Sequence, residues 1–484
     1  MTDSESWRRR TVLRTVGAGV AGAAATGLAS ADGASDDRPA QATNTGTATS
    51  GDSGDAGGPW QQFQADAANT GRSAAAGPRS GATAWAFDTE SGGVGGTDTP
   101  TAAGVAPEEL PQVVAAPAVT GDSLFVGNTN GTLYAVDRVT GERQWSLTTD
   151  APMMSSPTVV DGVVYVGSHD QTLYALDAET GEEVWTFDAD GRVFSSPTYH
   201  DGVLYVGSQA GTTYAVDAGD GEEVWQTSTG NRVDSTPAVA DGTVYVGDYR
   251  EGGQGGLRAL AASDGSQQWE LPTEGAVPCS PAVADGVVYF GDYAGAVYAL
   301  DADTGDGVWA RPLSDYVLSS PVVADGTVYV CGFDNNVWAF SAGRGSDAGS
   351  TEWSYTTGAS ILSSPAVADG VLYVGSRDRK LHAVDTESAQ ALFTVDTGSS
   401  VLSSPAVVDG AAYVGSSDGR VYAVTDDGAS PPTPTATPTP TDTPTTTGTG
   451  PGFGVLAGLA GLGAGALHRL RGHGRDGGSE GGEQ

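Results

Sequence analysis

The stretch SSPTVVDGVVYVGSHDQTLYALDAETGEEVW, from Ser155 to Trp185, holds one complete copy of a unit that can be followed from Ala116 to Val424. Its proline returns at Pro117, Pro157, Pro197, Pro237, Pro281, Pro321, Pro365 and Pro405, in steps of 40 or 44 residues. Eight copies at this period predict one repeat architecture in which no copy buries both of its faces alone, so neighbours must stack.

Within a copy, short runs rich in Val, Tyr and Leu alternate with turn residues. Pro157 to Val160, Val163 to Gly167 and Thr172 to Leu176 are three such runs, and a fourth carries Trp185. Asp161-Gly162 separates the first two. Asp-Gly suits a two-residue hairpin whose central positions both need positive φ. The pair recurs at Asp201-Gly202, Asp241-Gly242, Asp285-Gly286, Asp325-Gly326, Asp369-Gly370 and Asp409-Gly410, whereas the first copy has Gly121-Asp122. Each copy thus reads as four antiparallel strands, and the array as an all-β, eight-bladed β-propeller.

The motif A-x-D-x-x-T-G-x-x-x-W stands here as Ala175, Asp177, Thr180, Gly181 and Trp185. It recurs from Ala135 to Trp145 and from Ala299 to Trp309, keeps all but its Thr (Asp220) from Ala215 to Trp225, and decays at Ala259–Trp269 and Ala383–Phe393. In these residues the chain resembles the PQQ-like β-propeller repeat proteins over roughly Trp60 to Thr425. The eighth copy stops at Val424 without its Trp strand, while an orphan strand, Thr83 to Phe87 with Trp85, precedes the first copy. Placing that strand outermost in the last blade closes the ring and leaves only short, protected edges. Trp60 to Phe63 and Asn69-Thr70-Gly71 resemble the family's leading segment, expected to pack on the ring.

The chain has 484 residues and a formal charge of −38, from 60 acidic and 22 basic side chains, with Lys380 the only lysine. Such a balance argues against nucleic acid and anionic membrane surfaces as partners. The acidic, lysine-poor composition resembles proteins of halophilic archaea, where multimolar salt shrinks the Debye length to ~3 Å or less and self-repulsion costs little. Arg8 to Arg14, an Ala/Gly/Val stretch and Ala29-Ser30-Ala31 read as an export signal (1–31) resembling the twin-arginine class. A flexible linker (32–58), the propeller (59–427) and a Thr/Pro-rich stalk (428–450) follow. The last segment (451–484) opens on Pro451-Gly452-Phe453-Gly454 and resembles the PGF-CTERM sorting signal, a tag exchanged for a lipid anchor. The expected address is the cell surface. The only expected membrane contact is this C-terminal anchor, and the expected state is a monomer. Asn130-Gly131-Thr132 is a candidate N-glycosylation site as well as a good turn.

Cys279 and Cys331, the only cysteines, are 52 residues apart. Two readings stand: an inter-blade disulfide of an exported protein, or two buried thiols acting as small apolar groups. The periodic Trp and Tyr residues read as blade-to-blade core. No metal-ligand spacing and no catalytic set of residues is recognisable. Strand order still locates a ligand face. The first–second and third–fourth strand turns share one face, here called the turn face. The second–third turns and the blade-to-blade connections share the other, the loop face, where the family's ligands sit. It collects Arg192, Arg232, Arg250, Arg377, Arg379, Lys380 and Arg420, with His169, Asp234, Asp248, Asp292, Asp315, Tyr316, Phe333, Asp334 and Asn335. A cationic rim on so acidic a chain suits an anionic ligand; the plainer reading pairs these arginines with nearby carboxylates.

Two functions follow from the resemblance. One is a binding or scaffold module for a protein or glycan partner, needing no cofactor and similar to the bacterial outer-membrane assembly lipoprotein of this architecture. The other is a dehydrogenase of sugars or alcohols using PQQ and Ca²⁺, with Asp234, Asp315, Arg192 and Arg232 as the residues available for its roles.

Overall fold

The computed structural model describes residues 60–73, 75–95, 112–250 and 252–433. The segments read as export signal, linker and sorting tag, most of the expected stalk and most of residues 91–112 lie outside the described residues. Among the described residues the sheets number eight, each with four antiparallel strands as its body. In blade 2 these are Thr158–Val160, Val163–Gly167, Thr172–Asp177 and Glu183–Asp188. The innermost strands touch in sequence around the ring, and that of the eighth blade (Ala406–Val408) meets that of the first (Ala118–Thr120).

The repeat motif has a physical reason at each position. Asp161 and Gly162 have φ of 50° and 80°, and the other six Asp-Gly pairs are alike; in the first copy Gly121 takes the positive φ. Asp177 Oδ1 accepts from the amides of Glu179 and Thr180 at 3.0 and 2.8 Å, closing the next turn. Gly181 lies beneath Trp145 of the preceding blade, and a Cβ there would sit 2.7 Å from the indole. Trp185 Nε1 donates to Ala218 O of the following blade at 3.1 Å. Trp, Gly and Asp thus fasten three successive blades. The second hydroxyl residue of each Ser-Ser-Pro-like step adds an inner hoop: Ser196 Oγ accepts from Ser156 N, and Ser364 Oγ from Ser320 N, at 2.9 Å each.

The ring closes as the orphan strand predicts. Ala82–Asp88 pairs antiparallel with the third strand of blade 8, Arg420–Thr425. Trp85 plays the blade tryptophan: its ring lies over Gly141, and its Nε1 donates to Arg138 O at 3.1 Å. Gly93–Gly95 adds a fifth strand outside it.

The leading segment does more than pack on the ring. Residues 60–73 run round its inside and bond every blade. Carbonyls of Trp60, Gln61, Ala67, Ala68, Thr70 and Gly71 accept from Val119, Val159, Val239, Val283, Val323 and Val367 at 2.7–3.0 Å. Gln62 Oε1 takes the amide of Tyr199 in blade 3, and Ser73 Oγ donates to Val407 O in blade 8. Innermost-strand amides that a bare channel would leave to water are thereby satisfied. The segment leaves over the turn face, where Arg72 pairs with Asp325 at 2.8 Å. Asn69, itself at φ 55°, points its Nδ2 at the carbonyls of Thr236, Pro237 and Pro281, at 3.1–3.4 Å. Asn69→Ala is expected to cost about 2 kcal/mol, read as a lower denaturant midpoint at unchanged slope.

Candidate binding face

The loop face is built from one repeated contact. In each blade the second residue past the second strand's apolar run donates its amide to a carbonyl of the incoming blade connection. His169 pairs in this way with Pro152, Gln209 with Arg192, Tyr249 with Arg232, Tyr293 with Ala276 and Phe333 with Tyr316. The repeat therefore fixes the backbone and leaves these side chains free to vary. Two residues further along the connections stand Val114, Met154, Phe194, Asp234, Pro278, Leu318, Leu362 and Leu402, all half-buried. By the ring's pseudosymmetry they form a collar that is apolar except for Asp234.

The basic residues divide into paired and unpaired. Arg250 and Arg258 grip Asp248 at 3.0 Å each, and both also contact Glu270. This buried network props open the lengthened hairpin of blade 4, Thr243–Tyr249 and Gly255–Ala261. Arg250 is therefore structural and not a rim cation. Arg232 holds both oxygens of Asp234, at 2.5 and 2.8 Å, and Gln209 Nε2 donates to one of them at 2.9 Å. Lys380 meets Asp396 at 2.5 Å and Arg420 meets Asp88 at 3.4 Å. Arg192, Arg377 and Arg379 are exposed and have no ion pair among the described residues. The plainer reading thus holds for four of the seven cations. His169, Arg192, Arg232 and Asp234 do come together. Burial and then the Arg192 charge hold the His169 imidazole below its usual range, and its ring lies 5.8 Å from Phe194. Asp315 is exposed on the next connection but one and joins none of them.

An aromatic arc crosses blades 4 to 6. Tyr249 and Tyr293 meet edge to face at 5.7 Å, Tyr293 and Tyr316 at 5.5 Å, and Tyr316 and Phe333 at 6.0 Å. The Arg232 guanidinium lies 5.6 Å from the Tyr249 centroid at one end. Edge-to-face contacts of this kind hold rings in fixed orientation. Tyr316 is 49% exposed. Beside the arc lies a cavity of about 630 Å³, lined by Tyr249, Gly252, Gly253, Gln254, Glu274, Gly275, Tyr293, Ala294 and Tyr316. The sequence reading caught Tyr316 and Phe333 but missed Tyr249 and Tyr293. Their signal was register: they occupy the position that is His169 or Gln209 in other blades.

Under this cavity Asp292 is fully buried, accepting from Ala296 N at 2.9 Å and from the Tyr298 hydroxyl at 3.2 Å. Burial raises its carboxyl from 3.8 to about 6. Between those values the folded chain keeps a proton that the unfolded chain has released. The group's contribution is thus complete below pH 3.8 and lost as pH rises through about 6. Asp292→Asn is expected to gain about 3 kcal/mol at pH 7 and nothing at pH 3.5, read from denaturant midpoints.

The two thiols are free and buried. Cys279 stands where other blades have serine, its Sγ accepting from Gly291 N at 3.0 Å, and packs between blades 4 and 5. Cys331 stands at the glycine position that ends the second strand and packs between blades 6 and 7. They face different inter-blade cores, so the structure lacks the disulfide reading. Burial pushes the Cys279 thiol up to about 12 and raises Cys331 as well. Asn130 is exposed in the second–third turn of blade 1, beside Gly131 at φ 80°.

Eight four-stranded blades, a leading segment bonded round the inside and a variable loop face define a PQQ-like β-propeller. The chain belongs to the family described as outer membrane protein assembly factor BamB, whose profile matches residues 69–197, 190–280, 253–363 and 346–431. No curated protein matches the sequence. Among solved structures, BamB from Moraxella catarrhalis is similar at TM-score 0.54 and 21% identity, over 64% of this chain and 95% of that one. A europium-containing methanol dehydrogenase is similar at 0.61 and 15%, over 76% and 98%. The quinohemoprotein alcohol dehydrogenase from Comamonas testosteroni is similar at 0.61 and 17%, over 78% and 82%. At these identities the likeness concerns the fold.

The sequence resemblance makes PQQ with Ca²⁺ the group to test against this face, and the residues do not fit it. Ca²⁺ takes 6–8 oxygen ligands, yet Asp234 is the collar's single carboxylate and its oxygens already serve Arg232 and Gln209. Asp315 stands apart from it. Among the described residues no three His, Cys, Asp or Glu side chains gather as metal ligands.

Proposed function

We propose that the chain is a binding or scaffold module, exported by the twin-arginine route, anchored at the cell surface through its C-terminal segment, and engaging a protein or glycan partner with its loop face. The observation that carries this reading is the aromatic arc from Tyr249 to Phe333, set with its cavity on the face where the repeat leaves side chains free. Rigid aromatic rings flanked by an arginine are the residues that concentrate binding energy in interfaces. The free cations Arg192, Arg377 and Arg379 favour acidic groups at the edges of the contact. The dehydrogenase reading is the weaker one, because Asp234, the carboxylate available to it at the collar, is already held by Arg232 and Gln209. The test is calorimetric titration of the purified chain with PQQ and Ca²⁺, followed by dye-linked oxidation of sugars and alcohols. The reading expects neither binding nor turnover; stoichiometric binding with turnover overturns it in favour of the dehydrogenase.

A further inference from the structure

From the geometry of the cavity beside the aromatic arc, we infer that it is a carbohydrate site that takes a short neutral oligosaccharide. The inference rests on the loop face being the binding face and names the ligand class for one part of it. Tyr249, Tyr293 and Tyr316 line a single cavity with their rings turned 75° and 84° to one another. Sugar C–H bonds are polarised outward and pack on the negative face of such rings. The tyrosine hydroxyls also differ from those inside the ring. Tyr165, Tyr245, Tyr373 and Tyr413 each donate to a backbone carbonyl. Among the described residues the hydroxyls of Tyr249, Tyr293 and Tyr316 have no such partner.

The polar complement is that of a polyol site. Gln254 supplies a carboxamide and Glu274 a carboxylate, and with three phenols they give donors and acceptors for adjacent hydroxyls. Gly252 and Gly253, at φ 86° and 82°, form a wall without side chains, and a Cβ at either would stand in open space. The volume, about 630 Å³, lies within the range of small-ligand sites, which combine apolar faces with a few placed polar groups. Asp292 holds the site from below: its carboxylate receives Gly275 N at 3.4 Å, so the cavity floor is tied to the blade core. Glu274 makes an anionic sugar a poor fit, so the class is neutral. An aromatic site with a carboxylate also suits an organic cation, which the experiment separates.

The test is calorimetry on the purified full chain with maltotriose, cellotriose, chitotriose and, as the cation arm, choline. At least one trisaccharide is expected to bind. Tyr316→Ala is expected to weaken it about tenfold and Tyr316→Phe less, since it keeps the ring. Val184→Ala on the outer strand of blade 2 is expected to leave it unchanged. Tyr316 is exposed, so its variants keep the fold, and circular dichroism checks this. Binding of no trisaccharide, binding indifferent to Tyr316→Ala, or binding of choline alone overturns the inference. A photo-cross-linker at Asp315, used on cells displaying the chain, reports separately on the loop face. Adducts there without sugar binding leave the binding-module reading standing with a protein partner.

Discussion

A chain beginning at Thr89 is expected to lose its closed ring and to associate through the edge this exposes. The deletion removes Ala82–Asp88, the outermost strand of blade 8, in which Trp85, Ala86 and Phe87 are 5%, 1% and 0% exposed. Burial of two such aromatics is worth about 1.5–3 kcal/mol each, and the leading segment's bonds to every blade are lost with them. The sum is comparable to the whole stability of a domain. It also leaves Arg420–Thr425 as an unpaired edge beside Val421, Tyr422, Ala423 and Val424, an invitation to strand addition. Light scattering is expected to find oligomers, and thermal unfolding to lose its single transition. A peptide of residues 75–95 supplied in trans is expected to restore part of the monomer. A monomer that melts like the intact chain would mean that the ring does not depend on this strand.

The second large effect is expected at Arg138, where blade 8 meets blade 1. Its side chain is buried and pairs with Asp409 at 2.9 Å, while its carbonyl receives Trp85 Nε1 and the Tyr413 hydroxyl. Arg138→Ala leaves a cavity at the closure and an unpaired carboxylate. Breaking a buried pair costs about 3–5 kcal/mol, and because Asp409 is 38% exposed the lower end of that range is expected. Arg138→Met combined with Asp409→Asn keeps the volume and removes both charges of the pair. Nε of Arg138 is buried without a hydrogen-bond partner among the described residues, so removing it relieves a cost. This double variant is therefore expected to lie within about 1 kcal/mol of the parent, read from denaturant midpoints. Equal losses in both variants would show that charge, and not packing, secures the closure.

The architecture was legible because its contacts are periodic. Asp161-Gly162, Gly181 and Trp185 each meet the equivalent neighbour in most blades, so the spacing of the unit carried strand order, blade number and the role of Trp85. The path of residues 60–73 was not legible in that way. Its bonds are mostly backbone to backbone and reach blades up to several hundred residues away, so no side-chain pattern encodes them; Trp60 to Phe63 and Asn69-Thr70-Gly71 pointed to packing on the ring but not to the path. The face itself was legible from strand order, but which carboxylate each arginine meets was not. Arg250 looked like a rim cation until the register of the blade 4 hairpin brought it to Asp248 and Glu270. The aromatic arc lay between these cases. Tyr249 and Tyr293 sit at a repeat position, yet they depart from the repeat in identity, and the departure is visible only once the register is aligned.

The most direct test of the account is a comparison of two photo-cross-linkers on cells displaying the chain, one at Asp315 on the loop face and one at Asp241 on the turn face, both exposed. Specific adducts at Asp315, lost in Tyr316→Ala, with none at Asp241, are the expected result. Adducts at Asp241 alone would contradict it and move the binding surface to the turn face.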